Sequence, residues 1–166
     1  MQHTVYLSLG TNIGDRQRNI MQAINLLNER VGTVATLSSF LETEPWGFES
    51  ANAFINIALA IKTDLTPTQL LKATQVIEKE LGRTVKSSGD GYADRIIDID
   101  ILLYDDLILS QEDLKIPHPL MQERLFVLTP LAEIAPELVH PVLKTTIKNL
   151  ETRLNDNLLR KRMYPY

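Results

Sequence analysis

A chain of 166 residues with 44% hydrophobic and 23% charged residues can bury a core and is too apolar to stay disordered. Its 21 acidic against 17 basic residues leave a net charge of −4, so no overall positive field exists to hold a nucleic acid. The absence of cysteine excludes disulfides, thiolate nucleophiles and cysteine-ligated zinc, and no apolar run reaches the roughly 18–20 residues that span a bilayer.

The start, Met1-Gln2-His3-Thr4, has no basic region followed by an apolar signal core. One cytoplasmic domain over residues 1–166 is expected, with no membrane and no nucleic-acid partner. Residues 4–9 are β-rich (Val5, Tyr6, Leu7), and Gly10-Thr11-Asn12-Ile13-Gly14 is expected to turn the chain. From residue 15 the period changes. Ile20, Ala23, Ile24 and Leu27 recur at helical spacing over 15–30, and Gly32 is placed at the helix end. Two extended segments follow, 33–42 and 53–63. In the second, Ile55, Ile57, Leu59 and Ile61 share one face, while Phe54, Asn56, Ala58 and Ala60 share the other.

Thr66-Pro67-Thr68-Gln69 is a helix start: Thr66 caps, Pro67 takes the first helical position and Gln69 completes a capping box. Leu70, Leu71, Thr74, Ile77 and Leu81 mark its buried face. Residues 83–94 read as a loop, and 95–104 as the strongest strand in the chain. The order strand, helix, strand, strand, helix, strand is a split βαβ arrangement, an α+β ferredoxin-like βαββαβ core. Beyond it lie Pro117-His118-Pro119, a short helix near 120–124 and an amphipathic stretch at 146–154, all expected to decorate that core as C-terminal extensions.

Asp98 and Asp100 carry the chemistry. Two apart in a strand, they point to one face roughly 6–7 Å from each other, while Ile97, Ile99, Ile101 and Leu103 are assigned to the opposite face. Paired carboxylates repel and aspartate is a poor strand former, a penalty that a hard divalent cation such as Mg²⁺ removes. The competing reading is an alternating edge strand with one wet face. Arg83, Lys86 and Arg95 precede these acids in sequence, and His118 and Arg124 follow them. Cations around a carboxylate–metal pair are the equipment of phosphoryl transfer; each alone is more often a solvated surface charge, and it is their clustering about one strand that favours the functional reading. Gly10–Gly14 is neither a dinucleotide fingerprint nor a P-loop. Trp46, Phe54 and Asn56 offer an aromatic surface with amide groups, suited either to a flat heterocycle or to packing.

Leu7-Ser8-Leu9-Gly10-Thr11-Asn12, Glu44-Pro45-Trp46-Gly47, Phe54-Ile55-Asn56, Glu80-Leu81-Gly82-Arg83, Arg95-Ile96-Ile97-Asp98-Ile99-Asp100-Ile101-Leu102, Ile116-Pro117-His118-Pro119 and Arg124-Leu125-Phe126-Val127-Leu128 cover most of the chain. In this order they resemble the 6-hydroxymethyl-7,8-dihydropterin pyrophosphokinases of folate biosynthesis. The resemblance implies a ferredoxin-like core and a kinase in which the pterin's hydroxymethyl oxygen attacks the β-phosphorus of ATP and releases AMP; a monomer is expected. It implies two Mg²⁺ on Asp98 and Asp100, with Arg83 and Arg95 joining them in catalysis. A pterin pocket would be built from Thr43, Glu44, Pro45, Trp46, Phe54, Asn56 and Phe126. An ATP site would be lined by Gln75, Glu78, Arg83, Lys86, Tyr92, Arg95, Ile101, His118 and Arg124, with a loop at 86–91 closing over the nucleotide. Where the family often has Trp-Gly-Pro-Arg, this chain reads Tyr92-Ala93-Asp94-Arg95. A non-catalytic ligand-binding module is the opposing class, since such cores also serve regulation.

Overall fold

The structure, a computed structural model, describes residues 1–43, 53–82 and 96–163. Strand β1 (His3–Thr11) leads into helix α1 (Arg16–Arg30), then β2 (Gly32–Leu37), β3 (Leu41–Thr43) and β4 (Phe54–Thr63). Helix α2 (Pro67–Gly82) and strand β5 (Asp98–Tyr104) complete the ferredoxin-like core. The sheet runs β2-β4-β1-β5, antiparallel throughout, with β3 also laid against β4. A two-stranded ribbon of β6 (Leu109–Ser110) and β7 (Lys115–Ile116) follows, then a 3₁₀ turn at Met121–Glu123, α3 (Leu125–Ile134) and α4 (Ile147–Met163).

Local chemistry explains the helix starts. The Asp15 carboxylate accepts the Arg18 N–H at 3.1 Å, capping α1. At α2 the capping box forms as expected: the Thr66 N–H donates to Gln69 Oε1 (3.0 Å) and the Gln69 N–H to Thr66 Oγ1 (3.2 Å). Each cap contributes about 1 kcal/mol.

Gly32 does not cap α1; Val31 does, and Gly32 opens β2. A Cβ at Gly32 would meet the Lys62 carbonyl oxygen at 1.9 Å, so the glycine is there to let two backbones approach. Backbone cannot rotate away as a side chain can. Gly32→Ala is therefore expected to destabilise by on the order of 3 kcal/mol, read as a lower denaturant midpoint at unchanged m-value.

The single extended segment expected over 33–42 is two strands. Between them the Ser38 N–H donates to Ala58 O, while Ser39 turns outward and gives both its N–H (3.0 Å) and its Oγ (2.6 Å) to Glu133 of α3. Both faces of the sheet are covered. On one, Ile20, Ala23, Ile24 and Leu27 of α1 and Leu70, Ile77 and Leu81 of α2 pack on Val5, Leu7, Leu9, Ile55, Ile57, Leu59 and Ile61. On the other, Val127, Leu128 and Leu131 of α3 and Ile147 and Leu150 of α4 cover Ala58, Leu102 and Leu103. The C-terminal segments thus supply a second core layer instead of decorating the first.

Leu103 belongs to that second layer, contrary to the simple alternation. A bulge between Tyr6 and Leu7 pairs Leu7 with Ile101 but Tyr6 with Leu103, so the faces exchange after Leu102. Upstream of the bulge Ile99 and Ile101 fill the first core, and Asp98 and Asp100 stay on the opposite face.

Candidate functional site

Register places the site. Gly10 on β1 is the partner of Asn56 on β4 and of Asp98 on β5; two residues along, Ser8 partners Ala58 and Asp100. Paired residues on neighbouring antiparallel strands share a face. Asn56, Asp98 and Asp100 therefore stand on one surface around a floor of small residues, Gly10, Ser8 and Ala58. Asn56 and Asp98 are two strand spacings apart, roughly 10 Å. Phe54 precedes Asn56 by two on the same strand and is paired with Thr43 of β3. Helices α3 and α4 cover the far part of this face and leave its near end to these polar groups.

Gly10 was expected to turn the chain; it lies inside β1 instead. A Cβ there would sit 2.4 Å from Asn56 Oδ1. The buried amide of Asn56 leans over the glycine, and a glycine within a β-rich run is itself a sign of such an approach.

Strand β5 lies at the edge of the sheet, and two of its outer backbone groups are engaged. The Ile99 N–H, between the two acids, donates to Glu78 Oε2 of α2 at 2.9 Å, and the His118 N–H donates to Leu102 O at 2.9 Å. On the inner side the buried Thr11 hydroxyl donates to Ile96 O, fixing the entry to the strand. Asp98 is exposed and Asp100 half-buried, so both carboxylates reach solvent while their backbone is held from three elements. The half-buried Glu78 of α2 thus engages the strand backbone with one carboxylate oxygen.

His118 and Arg124 arrive from the segment after β7. The peptide bond before Pro117 is cis. His118 Nδ1 accepts the Leu120 N–H at 3.2 Å, which leaves the proton of a neutral ring on Nε2. Burial lowers the His118 pKa from its ordinary value, the nearby Asp100 carboxylate raises it and Arg124 lowers it again. Asp100 and Arg124 thus both stand close enough to His118 to bear on its charge. The Arg124 guanidinium also lies 5.7 Å from the centre of the Phe126 ring.

Of the residues singled out in the sequence, Thr43, Phe54, Asn56, Asp98, Asp100, His118, Arg124 and Phe126 are gathered about this face by the pairings, charges and ring contact above. Gln75 is exposed on α2, one turn before Glu78. The Ile101 side chain is buried in the first core and is withdrawn from the open surface. Glu44, Pro45, Trp46, Arg83, Lys86, Tyr92 and Arg95, and the loop at 86–91, lie outside the described residues. Sequence reasoning missed Thr11, whose hydroxyl role has no sequence signal, and Gly10, whose position in a strand does. Among the described residues no group of three or more His, Cys, Asp or Glu could hold a metal, and no helix is long and apolar enough to cross a membrane. Two carboxylates completed by phosphate oxygens and water are nevertheless a fitting donor set for Mg²⁺, which seldom takes an all-protein cage.

The family model described as 7,8-dihydro-6-hydroxymethylpterin-pyrophosphokinase (HPPK) matches residues 6–136. A 2-amino-4-hydroxy-6-hydroxymethyldihydropteridine pyrophosphokinase from Porphyromonas gingivalis is 52% identical over 138 residues, covering 82% of this chain and 93% of the relative. The Bacillus subtilis protein of the same name is 47% identical over 135 residues, 81% of this chain and 79% of its own length. Among solved structures, Plasmodium falciparum HPPK-DHPS superposes with a TM-score of 0.77 at 18% identity; the match covers all of this chain and 47% of that one, a likeness of fold.

Proposed function

Because the chain belongs to the 7,8-dihydro-6-hydroxymethylpterin-pyrophosphokinase family and works in folate biosynthesis, we propose a role for each part of the site in its pyrophosphoryl transfer. The enzyme moves pyrophosphate from ATP to 6-hydroxymethyl-7,8-dihydropterin, giving AMP and the pterin diphosphate. Asp98 and Asp100 hold two Mg²⁺ ions, which when bound neutralise phosphate charge and orient the chain of phosphates. His118 and Arg124 take phosphate oxygens beside Asp100, together with Arg83, Lys86 and Arg95. Gln75, Glu78, Tyr92 and the Ile101 backbone complete the ATP site. Asn56 reads the edge of the pterin ring, with Phe54, Phe126 and Trp46 against its faces and Thr43, Glu44 and Pro45 around it.

The observation that supports this reading is the row Asn56–Gly10–Asp98, which sets an amide for the heterocycle and an acid for the cation either side of one glycine. In the transfer the bond from β-phosphorus to the bridging oxygen of AMP breaks as the bond to the pterin's hydroxymethyl oxygen forms. The hydroxyl proton leaves to solvent or a nearby base. Positioning does most of the work in such chemistry. The same reading makes the protein a monomeric, cytoplasmic enzyme of one domain over 1–166, with no nucleic-acid partner.

The test is product analysis. With ATP, the reduced hydroxymethylpterin and Mg²⁺, AMP and pterin diphosphate are expected in equal amounts; EDTA should stop the reaction and added Mg²⁺ restore it. Release of ADP, or turnover indifferent to EDTA, would refute the assignment.

A further inference from the structure

We propose that Arg16 is a positioning residue of the pterin pocket, a clamp that fixes where the end of β3 and the start of β4 stand. The inference rests on the pterin reading above and assigns a residue outside the site as described so far. Arg16 opens α1, and its place is set by its neighbours. Asp15 caps the helix, Asn19 Nδ2 donates to Ile13 O at 2.8 Å, and the Asn19 N–H donates to Asp15 O at 2.9 Å. From that fixed base the guanidinium reaches across to the sheet. A single nitrogen, Nη1, donates to Ala53 O at 2.6 Å and to Glu42 Oε1 at 3.2 Å.

The two acceptors are what matter. Glu42 immediately precedes Thr43, and Ala53 immediately precedes Phe54; Thr43 and Phe54 are register partners across β3 and β4. One cation therefore holds the neighbours of two pocket residues from outside the pocket, and Asn56 follows two residues later on β4. The ladder between a three-residue strand and its partner is short, so a brace from a helix adds definition that the ladder alone lacks. The Arg16 side chain is 28% exposed and Glu42 62%, so the ion pair is largely solvated. The bond to the Ala53 carbonyl is short and charge-assisted, and it carries the clamp.

Steady-state kinetics on the full chain separates this role from a general structural one. Arg16→Met should raise KM for the reduced hydroxymethylpterin about tenfold and leave KM for ATP within about twofold, with a thermal midpoint within about 3 °C of wild type. Glu42→Gln should change the pterin KM less than about twofold, because the pair it weakens is exposed. Arg16→Lys keeps the charge on a stem one atom shorter and should give an intermediate value, about threefold. An unchanged pterin KM in Arg16→Met, or equal rises for both substrates, overturns the inference. Should Arg16→Met not fold, a wild-type pterin KM in Arg16→Lys does the same. Calorimetry of the wild-type protein with the pterin keeps the two readings apart. No binding there sinks the pterin assignment itself, whereas normal wild-type binding with indifferent Arg16 variants sinks only the clamp.

Discussion

Asp98→Asn and Asp100→Asn are each expected to lower kcat for AMP release by about a thousandfold while leaving the fold intact. On the proposed role, loss of one of the two carboxylates removes several kilocalories per mole of charge stabilisation from the transition state, and about 4 kcal/mol corresponds to a factor of about 10³. The fold has little to lose. Asp98 is exposed and Asp100 half-buried, both lie opposite the Ile99 and Ile101 core face, and asparagine keeps their shape. Neutralising one of two like charges on the same strand face also relieves repulsion. Thermal midpoints at or slightly above wild type are the expected companion result. Either variant making AMP at a near-normal rate with Mg²⁺ would remove the acids from the mechanism, and so would a loss of activity that tracked unfolding.

These acids were legible because they break a rule. A run of isoleucines and leucines interrupted twice, two residues apart, by aspartate asks what makes up for the charge, and the register answers that both carboxylates reach one open surface. Helices α1 and α2 were legible for the opposite reason: apolar spacing, caps and propensity agree. Helix α3 was not. Leu125-Phe126-Val127-Leu128 is apolar on every side and shows no helical period, and Pro130 inside the element argues against a helix. It forms because it is sandwiched between the sheet and α4, a tertiary cause. The break between β2 and β3 is likewise tertiary, since Ser39 turns outward to reach a glutamate 94 residues away.

Contacts made across the fold carry what sequence alone does not show around the site. Glu78 looks like a solvated helix carboxylate until β5 is laid beside it, where it takes the one N–H between the two acids. Arg16 looks like an ordinary charge in a first helical turn until the ends of β3 and β4 are brought up to it. Asp98, Asp100, His118 and Arg124 could be grouped because they are near in sequence and of complementary charge. Glu78 and Arg16 each reach a backbone group of a distant strand, a contact that leaves no trace in composition or period.

Gly10→Ala is expected to lower kcat/KM for the pterin about a hundredfold and to leave the ATP KM within about twofold, because an ångström-scale misplacement of a binding group costs on that order. The argument turns on what the new methyl meets. At Gly32 it meets backbone, and the fold suffers; at Gly10 it meets Asn56 Oδ1 at 2.4 Å, the far end of a side chain that can swing away. Stability should therefore change by less than about 1 kcal/mol, helped by the smaller conformational entropy of alanine in the unfolded chain. What moves is the amide. The double variant Gly10→Ala with Asn56→Ala settles the cause: if the glycine acts only by making room for Asn56, the double variant is no worse toward the pterin than Asn56→Ala alone. Additive losses, or an ATP KM that rises in step, would show instead that the methyl disturbs Asp98 across the strand, and Gly10 would then belong to the acid side of the site rather than to the pterin.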